Sequence, residues 1–172
     1  MEKPSKIIAI SAVSAAICGT LVTLGSYLGD FDFSFFLFAG IALTIPLYRN
    51  SELGCILAYF AGGFIGLLLS GMNFFVVVPF LVWFGIHPLL GCLLARHGVK
   101  KWLAFLIKLA LFEVAIFVML QFTTMLVVDV AFLTENIWLF YLIGAAFFVF
   151  YDWMIIYLVK YLFNILGRII KR

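Results

Sequence analysis

At 172 residues, with 67% hydrophobic side chains, 11% charged ones and a mean hydropathy of +1.26, the chain lies far outside the range of water-soluble domains. Eleven lysines and arginines against eight acids give a net charge of +3, and the pI near 8.8 reflects bases gathered on one side of a membrane protein rather than a nucleic-acid-binding surface. Apolar spans use up most of the chain, which excludes a soluble catalytic or nucleotide-binding domain and predicts one integral membrane domain over residues 1–172.

Six runs have the length and apolarity of membrane spans: Ile7–Leu28, Ser34–Tyr48, Gly54–Ser70, Asn73–Ala95, Trp102–Val128 and Ile137–Leu162. The first follows Lys3 and Lys6 in the manner of a signal sequence. It is long, however, and lacks a small-x-small cleavage site before a polar region, so it is predicted to be retained. Ser11, Ala15 and Gly19 recur on it every fourth residue, with Ala12 and Ala16 on the adjoining stripe. Such a flat face lets another helix approach closely, whether from this chain or from a partner.

Ahead of the second span, Asp30-Phe31-Asp32-Phe33-Ser34 alternates acid and aromatic and is a candidate lid. The span itself, about 15 residues at about 1.5 Å each, reaches only about 22 Å, so it either thins the bilayer or is met by a re-entrant loop. The third span repeats the small-residue device with Gly54, Ala58, Gly62 and Gly66, widened by Ala61 and Gly63. Pro79 and Pro88 interrupt the fourth, each removing a backbone donor. Carbonyls freed at membrane depth need partners, so these kinks either line a cavity or serve packing alone.

The fifth and sixth spans complete a charge pattern that orients the bundle. Lys3 and Lys6, Arg49, the group Arg96, Lys100 and Lys101, and the group Lys160, Arg168, Lys171 and Arg172 all fall on one side if the spans alternate. Lys108 lies early enough in the fifth span to snorkel to that side. The opposite loops carry Asp30, Asp32, Asp129 and Glu135 and no base. Both termini are therefore predicted to be cytoplasmic, in a multi-pass protein of a cell membrane of prokaryotic type.

Four ionisable residues sit inside apolar spans. Counted inward from the basic side at about 1.5 Å per residue, Lys108 lies about 9 Å deep, His87 about 13 Å, Asp152 about 15 Å and Glu113 about 16 Å. Charges at such depth must find partners, and Lys108 can join Asp152 or Glu113. Two readings stay open: an interhelical pin holding the last two spans in register, or a proton or cation relay shared by the carboxylates and the histidine.

At the other ends of these spans, Asn73, Gln121, Thr123, Thr124, Asn136, Trp138 and Tyr141 gather neutral hydrogen-bonding groups and aromatics. With Asp30 and Asp32 they are the candidate binding residues for a small, partly apolar molecule, against the plainer reading of an interfacial aromatic belt. Cys18, Cys55 and Cys92 lie inside apolar runs without CxxC spacing or companion histidines, and are predicted to be small buried hydrophobes, neither disulfides nor metal ligands. Protease, esterase and phosphate-loop signatures are absent, so the chain is not expected to be an enzyme or to carry a cofactor.

Six short spans with both ends inside, the Ala12-x-x-x-Ala16 face, the Asp30-Phe31-Asp32-Phe33-Ser34 loop and the glycine-rich third span resemble the substrate-binding S component of energy-coupling factor (ECF) vitamin transporters. Where many members carry Gly-Pro after the second span, this sequence reads Pro46-Leu47-Tyr48-Arg49-Asn50. The resemblance implies that the first span docks through Ala12 and Ala16 on a transmembrane coupling protein, itself joined to two cytosolic ATPases. It further implies that the outer loops and last three spans hold the substrate, which is released inward when the subunit reorients. A MreD-like scaffold for cell-wall machinery has similar size and span number, and an ion-coupled carrier using Glu113 and Asp152 is a third reading.

Overall fold

The computed structural model of the chain describes residues 4–126 and 137–170, which are helical almost throughout and contain no strand among the described residues. In chain order come α1 (Pro4–Tyr27), a 3-10 turn (Gly29–Phe31), α2 (Asp32–Ala42), α3 (Ile45–Tyr48) and α4 (Glu52–Leu69). α5 (Phe74–Pro79), a π-helical segment (Phe80–Phe84), α6 (Ile86–Arg96), α7 (Lys101–Leu126) and α8 (Ile137–Ile170) follow. Among the described residues, five stretches are long and apolar enough to cross a membrane: Pro4–Tyr27, Glu52–Leu69, Val77–Arg96, Lys101–Gln121 and Tyr141–Arg168. The predicted second span appears as a shorter apolar stretch, Asp32–Tyr48. The last helix runs well past the predicted Leu162. Its 34 residues amount to about 51 Å, more than a hydrocarbon core of about 30 Å requires.

α1 and α4 run parallel and in close contact because each offers small residues to the other. A Cβ on Gly62 would lie 2.7 Å from Cys18 Sγ, one on Gly66 2.5 Å from Val22 Cγ1, and one on Gly19 3.2 Å from the Gly62 carbonyl oxygen. Gly54 abuts Ser11 at the start of the pairing, and Tyr27 donates to the Leu69 carbonyl at 3.0 Å at its end. Lipid gives helices no hydrophobic reason to associate, so dispersion between touching backbones has to supply the attraction, and glycine permits it. Ser14, Ala15, Cys18, Gly19 and Val22 are consumed by packing within the chain. Ala12 and Ala16, on the neighbouring stripe, remain exposed.

Proline breaks two spans, and side chains from other helices repair the backbone. Pro46 lacks the N–H that would bond the Ala42 carbonyl, and Ser14 Oγ donates to that carbonyl instead. The Leu43 carbonyl, left over where α2 gives way to α3, accepts from Cys55 Sγ. In the fourth span the helix widens after Pro79, so that Gly85 N donates to Phe80 O at 2.8 Å, five residues back. The Leu81 carbonyl displaced by that widening accepts from Tyr59 Oη. Both kinks thus receive a hydroxyl from a neighbouring helix. Gly40 lets the two broken spans approach, since the Phe84 carbonyl oxygen leaves no room for a Cβ there.

Candidate functional site

α6, α7 and α8 contribute one face each to a different kind of interior. His87, Gly91 and Ala95 recur every fourth residue on α6, Lys101, Ala104 and Lys108 share one side of α7, and Asp152, Ile156 and Lys160 share one side of α8. These faces do not close on one another. They border a half-open cavity of about 810 Å³, within the range of small-molecule sites. A Cβ on Gly91 would meet nothing within 4 Å, so here, in contrast to α4, the glycine faces open space.

The inner end of the cavity is charged. Lys108, 5% exposed, donates its ammonium to Asp152 Oδ1. His87, 1% exposed, brings Nε2 to 3.0 Å from the same oxygen. That approach is out of line for a hydrogen bond, and neither ring nitrogen has an aligned partner among the described residues. A buried ammonium–carboxylate pair offsets the cost of burying each charge, and the long Lys108 side chain is drawn to Asp152 instead of snorkelling. Glu113 stands apart: it is half-buried, and no ion pair among the described residues includes it. It lies five residues from Lys108, about 140° around the helix at about 100° per residue, which keeps the two from facing each other.

One turn further from the basic end, an aromatic layer closes the cavity. The Trp83 ring lies 4.6 Å from His87 and 4.8 Å from Phe112, and Tyr151 lies 5.1 Å from His87. Phe148, fully buried, lies 5.4 Å from Phe112. Trp83 Nε1 and Tyr151 Oη, like the His87 nitrogens, are buried without a hydrogen-bond partner among the described residues.

The other end of the cavity is basic. Arg96, Lys101 and Lys160 line it. Arg96 is held by the Leu47 carbonyl, by Asn50 Oδ1 at 2.7 Å and by Glu52 Oε1 at 3.7 Å, so that it ties the end of α6 to the turn between α3 and α4. Asn50 reaches it from a left-handed backbone conformation (φ 59°), which asparagine tolerates better than most residues.

None of the described candidate binding residues at the opposite ends of the spans lines this cavity. Asp32 sits in the first turn of α2 and accepts from Phe33 N at 2.6 Å, which satisfies one of that helix's free donors. Asp30 belongs to the 3-10 turn, and its side chain lies outside the described residues. The candidate lid is therefore helical for most of its length, and Phe33 bridges to Phe84 at 5.5 Å and Phe147 at 5.9 Å. Asn73 and Gln121 are exposed, Trp138 is exposed at the start of α8, and Tyr141 is half-buried. Asn136 and the side chains of Thr123 and Thr124 lie outside the described residues. Among the cysteines, Cys18 and Cys55 are buried and Cys92 lines the cavity, all three as free thiols. No cluster of metal-ligating side chains occurs among the described residues.

The cavity walls were missed because Gly91, Ala95 and Ala104 read in sequence like the packing residues of α1 and α4. The usable signal was their register with buried charges: His87 lies four residues before Gly91 and Lys108 four after Ala104. Comparison with protein-family models, with curated proteins and with solved structures finds no match.

Proposed function

We propose that the chain is a membrane-embedded subunit that binds a small molecule between α6, α7 and α8 and hands it across the membrane with the help of a separate energy-supplying complex, in the manner of an ECF-type S component. The cavity is the observation that carries this reading: where α1 and α4 meet backbone to backbone, α6, α7 and α8 border about 810 Å³. Six spans with cytoplasmic ends would put the basic mouth on the cytoplasmic side, so the cavity would stand open there for release. The aromatic layer of Trp83, Phe112, Phe148 and Tyr151 would shut it from outside, and the candidate residues at the other end would take the substrate first.

The Ala12 and Ala16 stripe, exposed together with Val13 and Ile17, is where a coupling protein would dock. Capture of the tagged chain from gently solubilised prokaryotic membranes tests the reading. A coupling protein with ATPases and a bound small molecule should be recovered, and Ala12→Trp with Ala16→Trp should abolish the protein partners while leaving the chain folded. Recovery of a wall-synthesis complex without a small molecule would replace the transport reading with a scaffold. Unchanged partners for both tryptophan variants would remove α1 as the docking face.

A further inference from the structure

Chemistry along the cavity is divided in a way that narrows what it can hold. At its inner end the charge of Lys108 is matched by Asp152. At its mouth Arg96 is engaged by Glu52 and Asn50, but no ion pair among the described residues includes Lys101 or Lys160, and both are exposed. Between the two ends the walls are apolar, with Phe105, Ile155, Val159 and Phe163 prominent. Lys101 and Lys160 sit at the edge of a low-dielectric space, where an unmatched positive field attracts anions and repels cations.

We infer that the cavity takes an anionic amphiphile: a phosphate or carboxylate group held at Lys101 and Lys160, with an apolar body lying inward along Phe105, Ile155, Val159 and Phe163. A free inorganic anion would satisfy the mouth and leave the apolar length unfilled. A neutral apolar molecule would fill the length and ignore the two ammonium groups. The anionic end belongs at the mouth because the inner end is already neutralised by the Lys108–Asp152 pair. At that inner end His87, with neither nitrogen in an aligned hydrogen bond, can accept or donate to a polar group at the far tip of the body. Basic pockets between helix ends are where membrane proteins hold acidic head groups, so the shared chemistry has two sources, an anionic lipid of the bilayer or a soluble amphiphilic acid.

The inference rests on the cavity being a binding site, and the test separates the two ideas. The full chain is placed in neutral phosphatidylcholine nanodiscs and offered a diazirine-bearing dodecyl phosphate or the matched diazirine-bearing dodecanol, with labelled residues mapped by mass spectrometry. The phosphate should label α6, α7 and α8 at concentrations about tenfold or more below the alcohol, and Lys101→Gln with Lys160→Gln should remove that advantage without changing alcohol labelling. Gly91→Leu, which places a side chain into open space, should suppress both probes. Competition by phosphatidylglycerol in the disc would identify the source as bilayer lipid, and persistence of labelling in its presence would identify a soluble acid. Equal labelling by phosphate and alcohol would overturn the inference and leave the binding cavity standing. Absence of Gly91→Leu-sensitive labelling by either probe would overturn both.

Discussion

The glycines of the α1–α4 pairing and Gly91 on α6 do opposite things in this protein. In the α1–α4 half, Gly19, Gly62 and Gly66 are places where a side chain has no room, since their Cβ positions are taken by Ile65, Cys18 and Val22. In the α6–α8 half, Gly91 borders a cavity and its Cβ position is free. One half is a solid held by backbone contact. The other is a frame held by an ion pair and an aromatic layer around open space.

The largest expected effect lies in the frame. Lys108→Met or Asp152→Asn alone leaves a buried charge without its counterpart and should destabilise by about 3–5 kcal/mol, read as a fall in the thermal midpoint in detergent, whereas the double variant should recover most of the loss. A double variant no better than the sum of the singles would remove the pair as the link between α7 and α8. His87 sharpens this test, because it approaches the same Asp152 oxygen. If the trio works as a relay instead of a pin, the single changes should leave the midpoint near its starting value and alter the pH dependence of transport.

Next in size is the solid half. Gly62→Ala places a Cβ 2.7 Å from Cys18 Sγ and should cost about 1–3 kcal/mol, because close packing cannot relax around it. Smallest is the matching change in the frame: Gly91→Ala should stay within about 0.5 kcal/mol or stabilise slightly, since alanine suits a helix better and its Cβ meets open space. The contrast between the two glycines, measured in one melting series, is the cleanest way to break the division into halves. Similar losses at both positions would contradict it.

What the sequence revealed follows this division. The small-residue stripes of α1 and α4 were legible because close helix approach needs local, periodic residues, and periodicity survives in a linear string. The interruption at Pro79 was equally legible, whereas the break before Pro46 and the groups that repair both were not: Ser14 meets Ala42, and Tyr59 meets Leu81, through folding that brings distant helices together. Lys108 had two candidate carboxylates at one depth; the five-residue spacing along α7 already turns Glu113 away from it, but the contact with Asp152 depends on how α7 and α8 face each other. The cavity left the faintest trace, because empty space is a failure of three faces to meet and each face alone looks like packing. Asn136 and the side chain of Thr124 lie outside the described residues, and the polar set they belong to stands as an expectation.

The central claim is that the space between α6, α7 and α8 is a binding site, and Gly91 gives direct access to it. Wild-type protein and Gly91→Leu, purified from the same membranes, are compared for the small molecule released on denaturation, with melting to confirm that both are folded. The account predicts that the wild type releases a defined molecule and that the introduced leucine side chain expels it while the midpoint is maintained. Recovery of the same molecule at wild-type yield from folded Gly91→Leu would contradict it.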